Sequence, residues 1–274
     1  MIAFLGSEKE GEFSANLAAL GIAQMLEGTR VAIIENHTRG RYAGRCLIEE
    51  YIRSLEYHNA YIYKGRGTLE LPCGCRMVDV WNQKLFYIAQ EPYGSHWMFE
   101  HEFARFLPYL DDLERYCELL YVGVERNAES TGMILQKADI IVVNVGQRAE
   151  EIEAYLQRYQ EYLPKLFFLI GGYNKEDSLN RTRICKKYGI DRMHLAVIPY
   201  DEEYYRCVQS GEAVSFMLRY GRCGSRAKHY PFVNGLRDAQ KRITKMIEEV
   251  EGNLCTGGLK RQQSGRLELL QQLQ

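Results

Sequence analysis

Short, almost uninterrupted apolar runs recur along this chain, separated by longer stretches in which apolar residues return every three or four positions. Met1–Leu5, Arg30–Glu35, Leu119–Val124, Asp139–Val145, Leu166–Ile170 and His194–Ile198 are the short runs. Their length and lack of strict alternation predict strands buried on both faces. Lys84–Ala89 reads as a further strand. Leu69–Trp81 reads as a hairpin, with Pro72-Cys73-Gly74-Cys75 at its turn. Helical spacing predicts helices opening near Ser14 and over Leu47–Leu55, Met98–Glu114, Glu129–Lys137, Glu150–Tyr162, Asp177–Tyr188, Asp201–Gln209, Ala213–Tyr220 and Asn234–Val250. Strands alternating with helices predict an α/β protein: a mostly parallel twisted sheet with helices on both faces. Residues 1–250 read as one domain, and the Gly- and Gln-rich residues 251–274 as a flexible C-terminal tail.

Composition narrows the function classes. Of the 274 residues, 46% are hydrophobic and 26% charged, and the net charge of −1 gives no general attraction to nucleic acid or to an acidic membrane. No apolar run reaches the ~20 residues of a membrane span, and the start lacks the basic, apolar and cleavage regions of a signal peptide. A cytoplasmic protein is expected. Leu267, Leu270 and Leu273 in the tail offer at most a weak peripheral membrane contact. The eight cysteines are scattered. Cys73 and Cys75 form the one close pair, with no second pair to complete a metal site, so a reduced structural set is expected. His96 and His101, with Glu100 and Glu102, are the densest group of potential ligands. Their spacing of five does not put both imidazoles on one helical face. Tyrosine is abundant at 20 residues. Tyr155, Tyr159 and Tyr162 share a helical face, and Tyr200, Tyr204 and Tyr205 cluster, which reads either as helix-on-sheet packing or as an interface.

The first 35 residues have the frame of a phosphate-binding strand–loop–helix–strand unit: the strand Met1–Leu5 into Gly6-Ser7, a loop, a helix through Asn16-Leu17-Ala18, then Arg30–Glu35. With Ile134–Gln147, Phe167–Ser178 and Val197–Gly211, this frame resembles the ParA/MinD family of P-loop ATPases over residues 1 to about 250. The last two segments look particularly like its atypical TadZ/CpaE group, which places pilus secretion machinery. The resemblance implies a P-loop fold and a homodimer that acts through protein partners. It makes Asn174, Pro199 and Asp201 the candidate adenine contacts.

The phosphate half departs from the resemblance. Where the family writes Gly-Lys-Thr-Thr, this chain has Glu8-Lys9-Glu10-Gly11-Glu12-Phe13-Ser14. The loop lysine is expected near Glu10 and the magnesium-binding hydroxyl near Gly11. Glu35-Asn36 stands where the second strand ends in Asp, and Gly123 where the metal-holding Asp is expected. A carboxylate ~5 Å from a phosphate charge costs about 3 kcal/mol at an effective dielectric of ~20. Three glutamates in the loop therefore oppose phosphate, and a glutamate side chain, with Glu12 nearest the helix start, is expected to occupy the anion site itself. Phosphoryl transfer depends on positioned charge and metal. The expectation is a non-hydrolysing ParA/MinD-like scaffold or localisation factor, with no metal, no catalytic residue and no obligatory cofactor. The alternative is a weak ATP-binding switch that uses Lys9 and Ser14 in a rebuilt loop.

Overall fold

The computed structural model describes residues 1–6, 12–36, 42–47, 75–90, 103–125 and 130–256. Eight strands form one sheet: β1 (Ile2–Gly6), β2 (Val31–Asn36), β3 (Cys75–Trp81), β4 (Leu85–Gln90), β5 (Leu119–Glu125), β6 (Ile140–Val145), β7 (Leu166–Tyr173) and β8 (Leu195–Pro199). Their order is β3-β4-β2-β5-β1-β6-β7-β8, parallel throughout except for the antiparallel β3–β4 pair at one edge. The helices are α1 (Phe13–Leu26), α2 (Tyr42–Leu47), α3 (Leu110–Tyr116), α4 (Ser130–Lys137), α5 (Ala149–Arg158), α6 (Arg181–Tyr188), α7 (Glu202–Gln209), α8 (Ala213–Tyr220) and α9 (Tyr230–Thr256). The α/β architecture read from the apolar pattern is the one observed.

Central strands bury both faces because helices cover both. Ile2, Phe4, Ile33, Tyr121 and Val142 pack with α1, α2 and α7–α9. Ala3, Leu5, Ile34, Val122 and Val143 pack with α3–α6 on the other side. α1 is buried from Phe13 to Met25; its residues there are apolar or small except Asn16 and Gln24, whose amides bond Asn144 and Gln240. None of the described helices is long and apolar enough to cross a membrane.

Several boundaries differ from the sequence reading for local reasons. The hairpin turns at Asn82-Gln83, whose φ values of 42° and 56° fit a two-residue turn, and the Asp79 carboxylate accepts the Gln83 N–H. The expected turn at residues 72–75 falls on β3 at Cys75 and otherwise lies outside the described residues. α5 ends at Arg158, and Gln160–Lys165, with Pro164 inside it, continues as a tighter 3-10 turn. α6 begins four residues late. Asn174 and Asp177 accept the N–H groups of Glu176 and Leu179 in local turns, and Asn180 then caps the helix through Arg183 N–H. α9 starts early, at Tyr230, with Pro231 in its first turn. Residues His96, Glu100, His101, Glu102 and Cys73 lie outside the described residues; among the described ones no group of three metal-ligating side chains occurs.

Candidate functional site

β1 lies between β5 and β6, so the connections run to opposite sides of it and leave a crevice at the carboxyl ends of the strands. Register fixes what meets there. Phe4 and Glu35 both pair with Gly123, and Gly6 pairs with Glu125. The predicted residues Gly6, Glu35 and Gly123 are thus brought together, with Glu12 and Ser14 just across the crevice at the start of α1. Asn36 pairs with Val124 at the end of β2. Lys9, Glu10 and Gly11 lie outside the described residues.

Phe13 fills the space between these glycines. Its ring is fully buried, edge-on to Phe4 at 5.1 Å between centroids. A Cβ on Gly6 would sit 2.8 Å from the Phe13 ring and 2.8 Å from the Asn144 carbonyl oxygen. A Cβ on Gly123 would sit 3.1 Å from Leu17, 3.3 Å from Glu35 and 3.4 Å from Phe13. At Gly123, where the resemblance leads one to expect an aspartate, the space of a side chain belongs to its neighbours.

Glu35, 5% exposed, is held inside rather than presented. Its carboxylate accepts the Tyr87 hydroxyl at 2.8 Å, the Ala43 N–H at 3.0 and 3.1 Å, and the Ser14 hydroxyl at 3.4 Å. A buried carboxylate is tolerable only with such donors around it. Ser14, the hydroxyl named for the alternative ATP-binding loop, donates to this carboxylate.

Of the three loop glutamates expected near the anion site, Glu8 and Glu10 lie outside the described residues. Glu12 occupies the N-cap position of α1 in the left-handed region, at φ 62°, ψ 49°, and its side chain does not cap the helix. For a residue other than glycine this backbone costs about 1 kcal/mol. The carboxylate is carried away from the helix N–H groups, toward Gly172 and the Tyr205 hydroxyl. Burial, then the Glu12 charge, pushes the Tyr205 hydroxyl well above its ordinary range, so it stays a neutral donor. It also donates to Asn16 Oδ1 at 3.4 Å, and Asn16 Nδ2 donates to Asn144 at 2.9 Å. The neighbouring Tyr204 hydroxyl donates to the Ala15 carbonyl at 2.7 Å, clamping α7 to α1.

The candidate adenine contacts separate in role. Asn174 is exposed in the loop after β7, its side chain accepting the Glu176 N–H and its backbone exchanging two bonds of 2.9 Å with the Gln147 amide. Pro199 ends β8, half-buried. Asp201 is buried, with both oxygens engaged. One oxygen caps α7 through the N–H groups of Glu203 and Tyr204 at 3.1 and 3.0 Å, and the other lies 2.8 Å from His229 Nδ1. His229 is buried against Tyr220 and Phe216, with Nε2 3.3 Å from Glu203. Tyr200, between Pro199 and Asp201, is 56% exposed and stacks flat on Tyr205 at 4.8 Å.

Of the two readings of the tyrosine clusters, the structure bears out helix-on-sheet packing for four of the six. Tyr155 and Tyr204 are fully buried and Tyr159 and Tyr205 nearly so, because their rings complete the helix-to-sheet packing; of the six, only Tyr200 is exposed. Phe13, Tyr87, Asn144 and His229 were not singled out by sequence. Phe13 could have been noticed as an aromatic directly before Ser14, where a binding loop needs small residues. The other three act through contacts distant in sequence, and no local pattern marks them.

No protein-family model matches the chain, and no curated protein matches it. Solved structures do. The MinC:MinD cell division protein complex of Aquifex aeolicus matches with a TM-score of 0.60 at 12% identity, covering 89% of this chain and 96% of that one. The septum site-determining protein MinD complexed with Mg-ADP from Pyrococcus horikoshii matches at 0.59 and 12%, covering 95% and 98%. A ParA family ATPase from Chlorobium tepidum matches at 0.57 and 10%, covering 90% and 98%. At such identity the likeness establishes architecture alone: the chain has the fold of the MinD/ParA P-loop ATPases, with Phe13 and Glu35 packed where its central strands end.

Proposed function

We propose that this protein is a non-hydrolysing positioning scaffold built on the MinD/ParA fold, acting through protein partners and as a homodimer whose assembly does not depend on ATP. The observation that carries this reading is the packing of described residues at the ends of β1, β2 and β5. The Phe13 ring lies against Gly6 and Gly123, and Ser14 and Glu35 satisfy each other among Tyr87 and the Ala43 N–H. A metal-bound phosphate needs a free hydroxyl and a carboxylate at these positions. Here the Ser14 hydroxyl is engaged, the strand position is Gly123, and the Glu35 carboxylate is buried.

The structural neighbours support a positioning role by analogy of fold, since their names are those of cell-division and ParA-type proteins. The finer assignment, to a TadZ/CpaE-like factor of a pilus-assembly machinery, rests on the sequence resemblance in Phe167–Ser178 and Val197–Gly211. Calorimetric titration with ATP and ADP, with and without Mg, tests the central claim. No Mg-dependent binding is expected. Micromolar Mg-dependent ATP affinity would overturn the scaffold reading in favour of an ATP switch.

A further inference from the structure

We propose that Glu35 is an internal latch that keeps the short helix α2 docked on the body of the protein without any ligand. α2 has six residues, about half the length at which an isolated helix holds itself together in water. Its order therefore depends on what it is tied to. Ala43, Cys46 and Leu47 are buried toward α1 and α7, while Arg45 is exposed.

The first turn of any helix leaves N–H groups without an intrahelical acceptor. Here the Ala43 N–H donates to both Glu35 oxygens, at 3.1 and 3.0 Å. The same carboxylate accepts Tyr87 from β4 and Ser14 from α1. One negative group on a central strand thus joins four elements, at the end of α2 where the helix dipole favours an anion. Apolar contact alone would let α2 slide over α1. The bond from Ala43 to a fixed carboxylate sets one register.

The latch goes beyond the scaffold reading and is separable from it. Cutting it should release α2 locally and leave the strands in place, because no strand pairing depends on the Glu35 side chain. Hydrogen exchange of the intact chain, read by mass spectrometry without nucleotide and again with excess Mg-ATP, is the test. In the unaltered protein, peptides covering residues 42–47 should be protected equally in both conditions. Glu35→Ala should speed their exchange about tenfold or more, with β6 and β7 changed less than about twofold.

If Glu35→Ala does not fold, Tyr87→Phe removes one donor without changing volume and should give about threefold faster exchange confined to α2. Protection of 42–47 that appears only with Mg-ATP would overturn the latch. So would an unchanged α2 in the variant that folds, or equal loss of protection in α2 and β6. Mg-ATP binding together with nucleotide-independent protection of α2 would leave the latch standing and remove the scaffold reading.

Discussion

The two halves of the crevice are built in opposite ways. On one side of β1, the ends of β1, β2 and β5 are closed over by Phe13, Leu17 and the buried Glu35 cluster. On the other, β7 and β8 run out into loops where Asn174 and Tyr200 face solvent. The difference shows how burial sets what each end of a sheet demands of its side chains. Where strand ends are buried, a missing side chain leaves a void beside apolar residues, and packing must fill it. Where loops meet water, no such demand exists: Asn174 is held only by local turn bonds and by Gln147, and Tyr200 only by stacking on Tyr205. A filled half should be sensitive to substitution and an open half indifferent.

Phe13→Ala should produce the largest effect. It removes a fully buried ring seated on two glycines, and loss of a core phenylalanine costs about 3–5 kcal/mol. Denaturant unfolding measures it. A loss below about 1 kcal/mol would mean that the crevice is a cavity with a mobile ring, and the contrast between the halves would collapse.

Gly123→Asp follows. It places a carboxylate at the strand position where the sequence resemblance leads one to expect it, yet the new Cβ would meet Leu17, Glu35 and Phe13 at 3.1–3.4 Å. Overpacking and a second buried negative charge beside Glu35 should destabilise the protein by about 2–4 kcal/mol. Phosphate release from Mg-ATP should stay at background. A stable variant that gains Mg-ATP binding would show that the space was available to ligand after all.

How far the sequence reveals this site follows from the range of the interactions. Gly123 could be found because an apolar strand announces itself and its end can be counted. Glu35 could be found for the same reason, but its role could not: its partners Ser14 and Tyr87 are 21 and 52 residues away. Asp201 was legible as a loop residue after a strand. Its capping bonds are local and follow from its type, whereas its contact with His229 spans 28 residues and has no sequence signature. The strands and most helices were visible because burial and periodicity are local. The Asn82-Gln83 turn was missed because glycine, the usual mark of a left-handed turn, is absent from it.

Asp201→Ala should cost about 1–2 kcal/mol. It removes the cap of α7 and the carboxylate beside His229 Nδ1. The loss should appear in the unfolding midpoint. A change confined to adenine-nucleotide affinity, with stability intact, would make Asp201 a base contact and enlarge the open half.

Tyr200→Ala should be the mildest. The ring lies at 4.8 Å on Tyr205 with an interplanar angle of 10°, but more than half of it faces water, so little apolar area is lost on truncation. Stacked aromatic pairs contribute about 0.5–1.5 kcal/mol beyond burial, and exposure places this one at the lower end. Unfolding should shift by about 0.5 kcal/mol or less. Tyr205 should keep its place, because its hydroxyl is held by Asn16 and Glu12 from below rather than by Tyr200 from above. A loss above about 2 kcal/mol would make Tyr200 a structural member of the α1–α7 clamp, and the open half would then be closed by the same aromatic packing as the filled one.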